Sequence, residues 1–197
     1  MTKIHFNKTF SPLTSDEIVA KEKNNMDVKR FEHCIGVSDT SRKLAELNNY
    51  DPEKAALAGF IHDYAKQVPN EKFIQIIKTK GFDQDLLNYN RAIWHGIVGF
   101  YIIEQELKIT DSEILTAIKR HTTADTEMTT LDKIVFVADF IEPHRNFPGV
   151  EQARKIAFEN LDAGVGYELA HTLSFLVENR QKIYPKTLDA YNVWSIK

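Results

Sequence analysis

Five residues stand where a helical core is expected: His33, the adjacent pair His62-Asp63, and downstream His121 and Asp139, with His95 as a sixth candidate. Asp139 interrupts Ile134-Val135-Phe136-Val137-Ala138-Asp139-Phe140-Ile141, and His62-Asp63 closes Ala55-Ala56-Leu57-Ala58-Gly59-Phe60-Ile61. An ionised carboxylate in such surroundings is costly unless a cation or several donors compensate it. Imidazoles and carboxylates converging from separate helices are what a divalent metal needs, so the pattern predicts a metal-dependent enzyme. A set of nitrogen and oxygen donors from His33, His62, Asp63 and Asp139 suits Fe, Mn, Co or Zn rather than Ca or Mg. His95 and His121 each fall at a helix boundary. Either they bind a second ion with Asp63 bridging, or they stay free to contact phosphate and protonate a leaving group.

Neighbours on a regular helix point about 100° apart, so His62 and Asp63 reach one ion only where the helix frays or turns. The change from an apolar run to Lys66, Gln67 and Pro69 provides that setting. Lys66, Arg145 and Arg30 lie near these positions in sequence and could neutralise phosphate charge as a transition state spreads it. Arg30 reads equally as an ordinary exposed base. Asp139 taken alone reads equally as a carboxylate buried against an arginine. His5, His144 and His171 read as ordinary core or surface residues.

The elements that must hold these groups are helices. Thr14-Ser15-Asp16-Glu17 has capping-box spacing and opens a helix to about Asn24. A second runs from about Asp27 to Asn48 with His33 in its first half, and Asp51-Pro52 starts a third that ends near His62-Asp63. Pro69-Asn70 restarts a helix stopped at Gly81. Ile93-Trp94-His95-Gly96 is expected to lead one helix to about Glu106. Thr110 to Glu113 reads as a capping box for a helix ending at His121, and Thr129-Thr130 opens the helix bearing Asp139, closed by Pro143. Helices over 150–160 and 161–183 and a short one after Pro185 complete the expectation. Period-2 alternation and hairpin turns are absent, so the fold class predicted is all-α, a single-domain helical bundle over 1–197 with a metal site between helices. Residues 1–12 read as a flexible or loosely packed segment.

Hydrophobic residues make up 43% of the 197-residue chain and charged residues 27%, which fits one ordinary globular domain. The single cysteine, Cys34, rules out an internal disulfide and suits a reducing compartment. No apolar run has the length of a membrane span and Met1 to Lys8 lacks the core of a signal peptide, so the cytoplasm is the expected location. A formal net charge of −3 argues against nucleic acid as a partner and leaves room for a small basic pocket around a phosphorylated ligand. Phe6, Phe10 and Trp194 could serve a homodimer contact or pack locally.

The order His33, His62-Asp63, His95, His121, Asp139 resembles the His-Asp (HD) superfamily of metal-dependent phosphohydrolases. More narrowly, Lys29-Arg30-Phe31-Glu32-His33, Gly59-Phe60-Ile61-His62-Asp63-Tyr64-Ala65-Lys66, Trp94-His95-Gly96 and Ala138-Asp139-Phe140-Ile141-Glu142-Pro143 are similar to the YqeK-type symmetrical bis(5′-nucleosyl)-tetraphosphatases over roughly residues 14 to 190. That resemblance implies an all-helical fold and cleavage of diadenosine tetraphosphate into two ADP, with one or two metal ions, usually iron. It implies metal ligation by His33, His62, Asp63 and Asp139. It further implies nucleotide and phosphate contacts from Arg30, Lys66, His95, His121, Thr122, Arg145 and the segment Lys182, Ile183, Tyr184, Pro185, Lys186 and Thr187, with Asp63, His95, His121 and Lys66 as catalytic candidates. Cys34 departs mildly from the pattern and reads as buried filler. The competing expectations are an HD-type phosphohydrolase acting on other (deoxy)nucleotides, a non-catalytic nucleotide sensor, and a purely structural helical bundle with its histidines satisfied in the core.

Overall fold

The computed structural model describes residues 4–195, and among these there is no strand. The elements are α1 Ser15–Asn25, α2 Val28–Leu47, α3 Pro52–Ile61, α4 Asn70–Thr79, a 3-10 turn Gln84–Asn88, α5 Arg91–Ile97, α6 Gly99–Glu106, α7 Ser112–Arg120, α8 Thr130–Ile141, α9 Val150–Glu159, α10 Leu161–Glu178 and α11 Pro185–Trp194. The all-α expectation therefore holds. No described helix is long and apolar enough to cross a membrane.

Local chemistry explains most boundaries. Thr14 and Glu17 form a reciprocal capping box at α1, and Thr129 and Asp132 form another at α8. Asp27 caps α2 through the Arg30 N–H, and Asp51 caps α3 with Pro52 at the first helical position. Gly81, at φ +76°, follows the end of α4, where a left-handed residue is needed.

Three boundaries differ from expectation. The stretch 93–106 is not one helix: α5 stops at Ile97, and the Tyr101 N–H bonds to the Val98 carbonyl three residues back. The break lets Gly99 sit against Ala65, where an added Cβ would be 2.9 Å from the Ala65 Cβ. The cap of α7 is Asp111, which accepts from the Glu113 and Ile114 N–H groups, while Glu113 pairs with Lys54 and leaves no capping box with Thr110. Helix α10 ends at Glu178 rather than 183, because Asn179 caps it and Arg180 turns to φ +51°.

The core is built on α2, α3, α7 and α8. Every residue from Ala55 to Ile61 is buried, as are Ile134, Val135, Val137 and Ala138, so most of α3 and the middle of α8 are enclosed. Residues 1–3 lie outside the described residues. Residues 4–14 form no regular element, but Phe6 is buried against Phe60 with ring centroids 5.3 Å apart. Phe10 lies under Lys54, and Trp194 donates to the Asp125 carbonyl beneath Lys133, so these aromatics pack within the chain.

Gly59 sets the separation of α2 and α3: a Cβ there would be 2.4 Å from Ser41 Oγ and 3.0 Å from the Val37 carbonyl oxygen. Gly59→Ala is therefore expected to cost about 1–3 kcal/mol and to lower the thermal midpoint by several degrees. Thermal melts followed by circular dichroism check this, and a wild-type midpoint contradicts the packing account.

Candidate metal centre

The site gathers side chains from helices that are distant in sequence. His33 comes from the first half of α2, His62 caps the C-terminus of α3, and Asp63 follows on the turns that lead to Gln67. His95 lies within α5, His121 caps the C-terminus of α7, and Asp139 stands in the last turn of α8. His62 and Asp63 do sit where a helix gives way to turns, which allows both to face one point.

Four imidazoles are oriented the same way. His62 Nδ1 lies 2.6 Å from the Gly59 carbonyl oxygen, His121 Nδ1 lies 2.7 Å from that of Ile118, and His95 Nδ1 lies 2.9 Å from that of Arg91. His33 Nδ1 lies 3.1 Å from Glu142 Oε1. A carbonyl or carboxylate only accepts, so each Nδ1 carries the proton and donates it outward. Each ring then turns its Nε2 toward the common centre.

The inward atoms form two groups around Asp63. In the first, His33 Nε2 is 3.1 Å from Asp139 Oδ1, and His62 Nε2 is 3.8 Å from the same oxygen. Asp63 Oδ2 closes this group at 3.7 Å from His33 Nε2 and 3.5 Å from His62 Nε2. In the second, Asp63 Oδ1 faces His95 Nε2 at 3.3 Å and His121 Nε2 at 3.6 Å. The sets His33, His62, Asp139 and His62, Asp63, His121 each offer donor atoms within 4.8 Å of one another.

The two groups differ in how they are satisfied. Lys66 Nζ lies 2.9 Å from His95 Nε2, and Thr122 Oγ1 lies 3.1 Å from both His95 Nε2 and His121 Nε2, so Lys66 can donate to His95 while the single Thr122 hydroxyl proton serves His121. In the first, His33 Nε2 and His62 Nε2 are buried with no aligned hydrogen-bond partner, and Asp63 Oδ1, which faces the second, is likewise without one. Leaving a buried polar atom unpaired costs about 1–3 kcal/mol. A cation supplies what three such acceptors lack. The donor set fits a divalent metal on this ground.

Charge follows the same pattern. Burial pushes His62 down to about 4, and burial with Lys66 beside it pushes His95 well below its usual value, so both rings keep their lone pairs at neutral pH. Burial opposes ionisation of Asp63, yet Lys66 and the neighbouring histidines outweigh it and hold the carboxyl well below its usual range. Burial likewise opposes Asp139, and Arg145 and His33 outweigh it. The side chain of Arg145 donates to both the Asp139 carbonyl and its carboxylate, and Arg30 Nη1 lies 2.7 Å from Asp63 Oδ2. Asp139 is thus paired with Arg145 and faces His33 and His62 at once.

Residues 30–144 match the HD domain family model. The chain belongs to the HD-domain family. It is 38% identical over 180 residues to the symmetrical bis(5′-nucleosyl)-tetraphosphatase of Bacillus subtilis (strain 168), covering 91% of this chain and 97% of that protein. The protein of the same name from Staphylococcus aureus is 40% identical, with 90% and 91% covered. A crystal structure from Clostridium acetobutylicum, described as a predicted HD superfamily hydrolase involved in NAD metabolism, superposes with a TM-score of 0.88 at 35% identity, covering 92% of this chain and 97% of that one. The HD fold implies a divalent metal, in agreement with the orphaned acceptors.

The remaining candidates spread around this HD centre. Lys66, Arg30 and Arg145 are partly exposed beside it. Tyr184 packs edge-on against Tyr89 at 5.0 Å, and with Thr187 and Lys182 it lines a cavity of about 480 Å³ that reaches the centre at Thr122. Ile183 and Pro185 line no part of that cavity, and Lys186 turns away to Asp125 at 2.8 Å. Cys34 is fully buried 3.9 Å from the Met26 sulfur, and burial pushes its thiol well above the usual range, as suits filler.

Sequence reasoning missed three acids. Glu142 anchors His33 and also accepts from the His144 backbone N–H. Glu168 and Glu22 are buried carboxyls with unpartnered oxygens, raised well above their usual range by burial and then by the charges of Asp139 and Asp63 respectively. An acid on the buried face of a helix was the available signal for the last two; Glu142 stood in a quoted motif without a role.

Glu142→Ala is expected to weaken metal affinity roughly 10–100-fold by freeing the His33 ring, read by competition with a chelator. Unchanged affinity contradicts the anchoring role. Glu22 holds its proton in the fold to a higher pH than in the unfolded chain, so folding takes up a proton and stability falls as pH rises above the ordinary carboxyl range. Glu22→Gln is expected to flatten that fall and to raise the thermal midpoint at pH 7 to 8, measured by melts across pH 5 to 8.

Proposed function

We propose that this chain hydrolyses dinucleoside tetraphosphates, diadenosine tetraphosphate foremost, at the middle of the phosphate chain to give two nucleoside diphosphates. The observation that carries this reading is a His/Asp centre ringed by Lys66, Arg30 and Arg145, in a chain related over about nine-tenths of its length to proteins named symmetrical bis(5′-nucleosyl)-tetraphosphatases.

His33, His62, Asp63 and Asp139 would hold the metal, with iron the preferred identity. When bound, such an ion lowers the pKa of water and polarises phosphoryl oxygens. The rest of the work falls to the protein. Lys66 and Arg30 sit on opposite oxygens of Asp63, at 3.6 and 2.7 Å, and their partly exposed heads can turn to phosphate. Arg145, held at its Nε by the Asp139 carbonyl, presents its guanidinium on the His33 side. Cationic donors fixed at both sides stabilise charge that spreads along the chain in the transition state. His95 keeps a lone pair on Lys66 Nζ and so aims the ammonium at the phosphates, while Thr122 offers a hydroxyl at the same point. The cavity lined by Tyr89, Tyr184, Thr187 and Lys182 accepts one base and ribose.

A panel of nucleotides scored by product tests the reading: diadenosine tetraphosphate is expected to give ADP alone. ATP with AMP among the products, or turnover confined to mononucleotides, overturns it. Asp139→Ala is expected to lose bound metal and more than a hundredfold in turnover with helical circular dichroism intact. Lys66→Ala is expected to keep the metal and lose about a hundredfold in turnover. Full activity in Asp139→Ala contradicts the ligand assignment.

A further inference from the structure

A second cavity, of about 460 Å³, meets the centre at His33 and shares no lining residue with the first. It is lined by His33, Glu142, Arg30, Arg145, Lys29 and Phe147, among others. The first cavity reaches the centre through Thr122, which contacts His95 and His121; this one reaches it through His33. A third, more open hollow lined by Lys66 and Arg91 joins them, sharing Arg30 with the second cavity and Asn90 and Ala92 with the first. The three adjoin one another along one side of the centre, with Lys182, Arg91, Lys66, Arg30 and Arg145 among their walls. Both end cavities fall within the size range of sites that enclose small organic ligands.

A substrate cut at its centre has identical halves, and the cavity at His33 has room for the second base and ribose. Phe147 supplies a flat apolar surface at the far end, braced by Phe140 and His171 with ring centroids 4.7 and 5.0 Å away. A ring fixed by two aromatic neighbours loses little freedom when a base stacks on it. Lys29, Arg30 and Arg145 line the same cavity, with Arg30 on Asp63 and Arg145 on Asp139, and so offer cations to a second diphosphate.

We infer that the Phe147 cavity is a second nucleoside subsite, which binds the base and ribose of the half of the substrate opposite the Tyr184 cavity. The inference rests on the dinucleotide reading given above. Nothing in the first cavity requires it: a protein that grips one nucleoside diphosphate and leaves the other half in solvent would cleave with Phe147 idle.

The test compares diadenosine tetraphosphate with the terminal methyl ester of adenosine 5′-tetraphosphate, which keeps the phosphate charge and lacks the second nucleoside. The wild-type protein is expected to prefer the dinucleotide in kcat/KM by about fivefold or more, the contribution of one base stack. Phe147→Ala is expected to bring that ratio close to one, while Tyr184→Ala lowers kcat/KM for both compounds and leaves the ratio in place. A wild-type ratio near one overturns the subsite without any variant, so misfolding of Phe147→Ala does not shield it. A ratio that survives Phe147→Ala also overturns it. Failure to cleave either compound would instead count against the dinucleotide reading.

Discussion

The structure depends on four imidazoles whose outer nitrogens are tied to backbone or carboxylate oxygens, so that their inner nitrogens converge. Converging lone pairs repel, and buried ones without donors are expensive. The fold accepts this arrangement because the middle of α3 and most of α8 are packed in the core, and His62, His95, His121 and Asp63 are buried there. Cations resolve the conflict. Lys66, Arg30 and Arg145 do part of this work at the rim, and the innermost acceptors are left for a metal.

Asp63 explains why one residue position serves two neighbourhoods. Its two carboxylate oxygens face different pairs of histidines, so the groups share a charge instead of each carrying its own. A second buried carboxylate there would face like charge, and Glu22, buried and repelled by Asp63, accordingly holds its proton to a higher pH than usual.

Much of this was legible in the chain. Helix starts at Asp27, Asp51 and Thr129 follow from short side chains that cap locally, and a local rule can be read locally. His62-Asp63 could be placed on a turn because an apolar run ends there. The break at Val98 was hidden, since its cause is Ala65, which touches Gly99 from another element. Glu142 was hidden for a similar reason: its partner His33 lies 109 residues away. The cavity walls at Tyr89, Asn90 and Phe147 carry no periodic signal, because surface loops obey no helical register. Residues bound to function by geometry alone were the ones that sequence could not mark.

The placement of His62 and His121 at the C-terminal caps of α3 and α7 has a thermodynamic consequence. Final helical turns are the first to fray, since their carbonyls lack partners in the ladder. Each ring stitches its own last turn by donating to the carbonyl three residues back. An ion grasped by such rings would rivet segments far apart in the chain, so that ligand uptake and local rigidity become one equilibrium viewed from two ends.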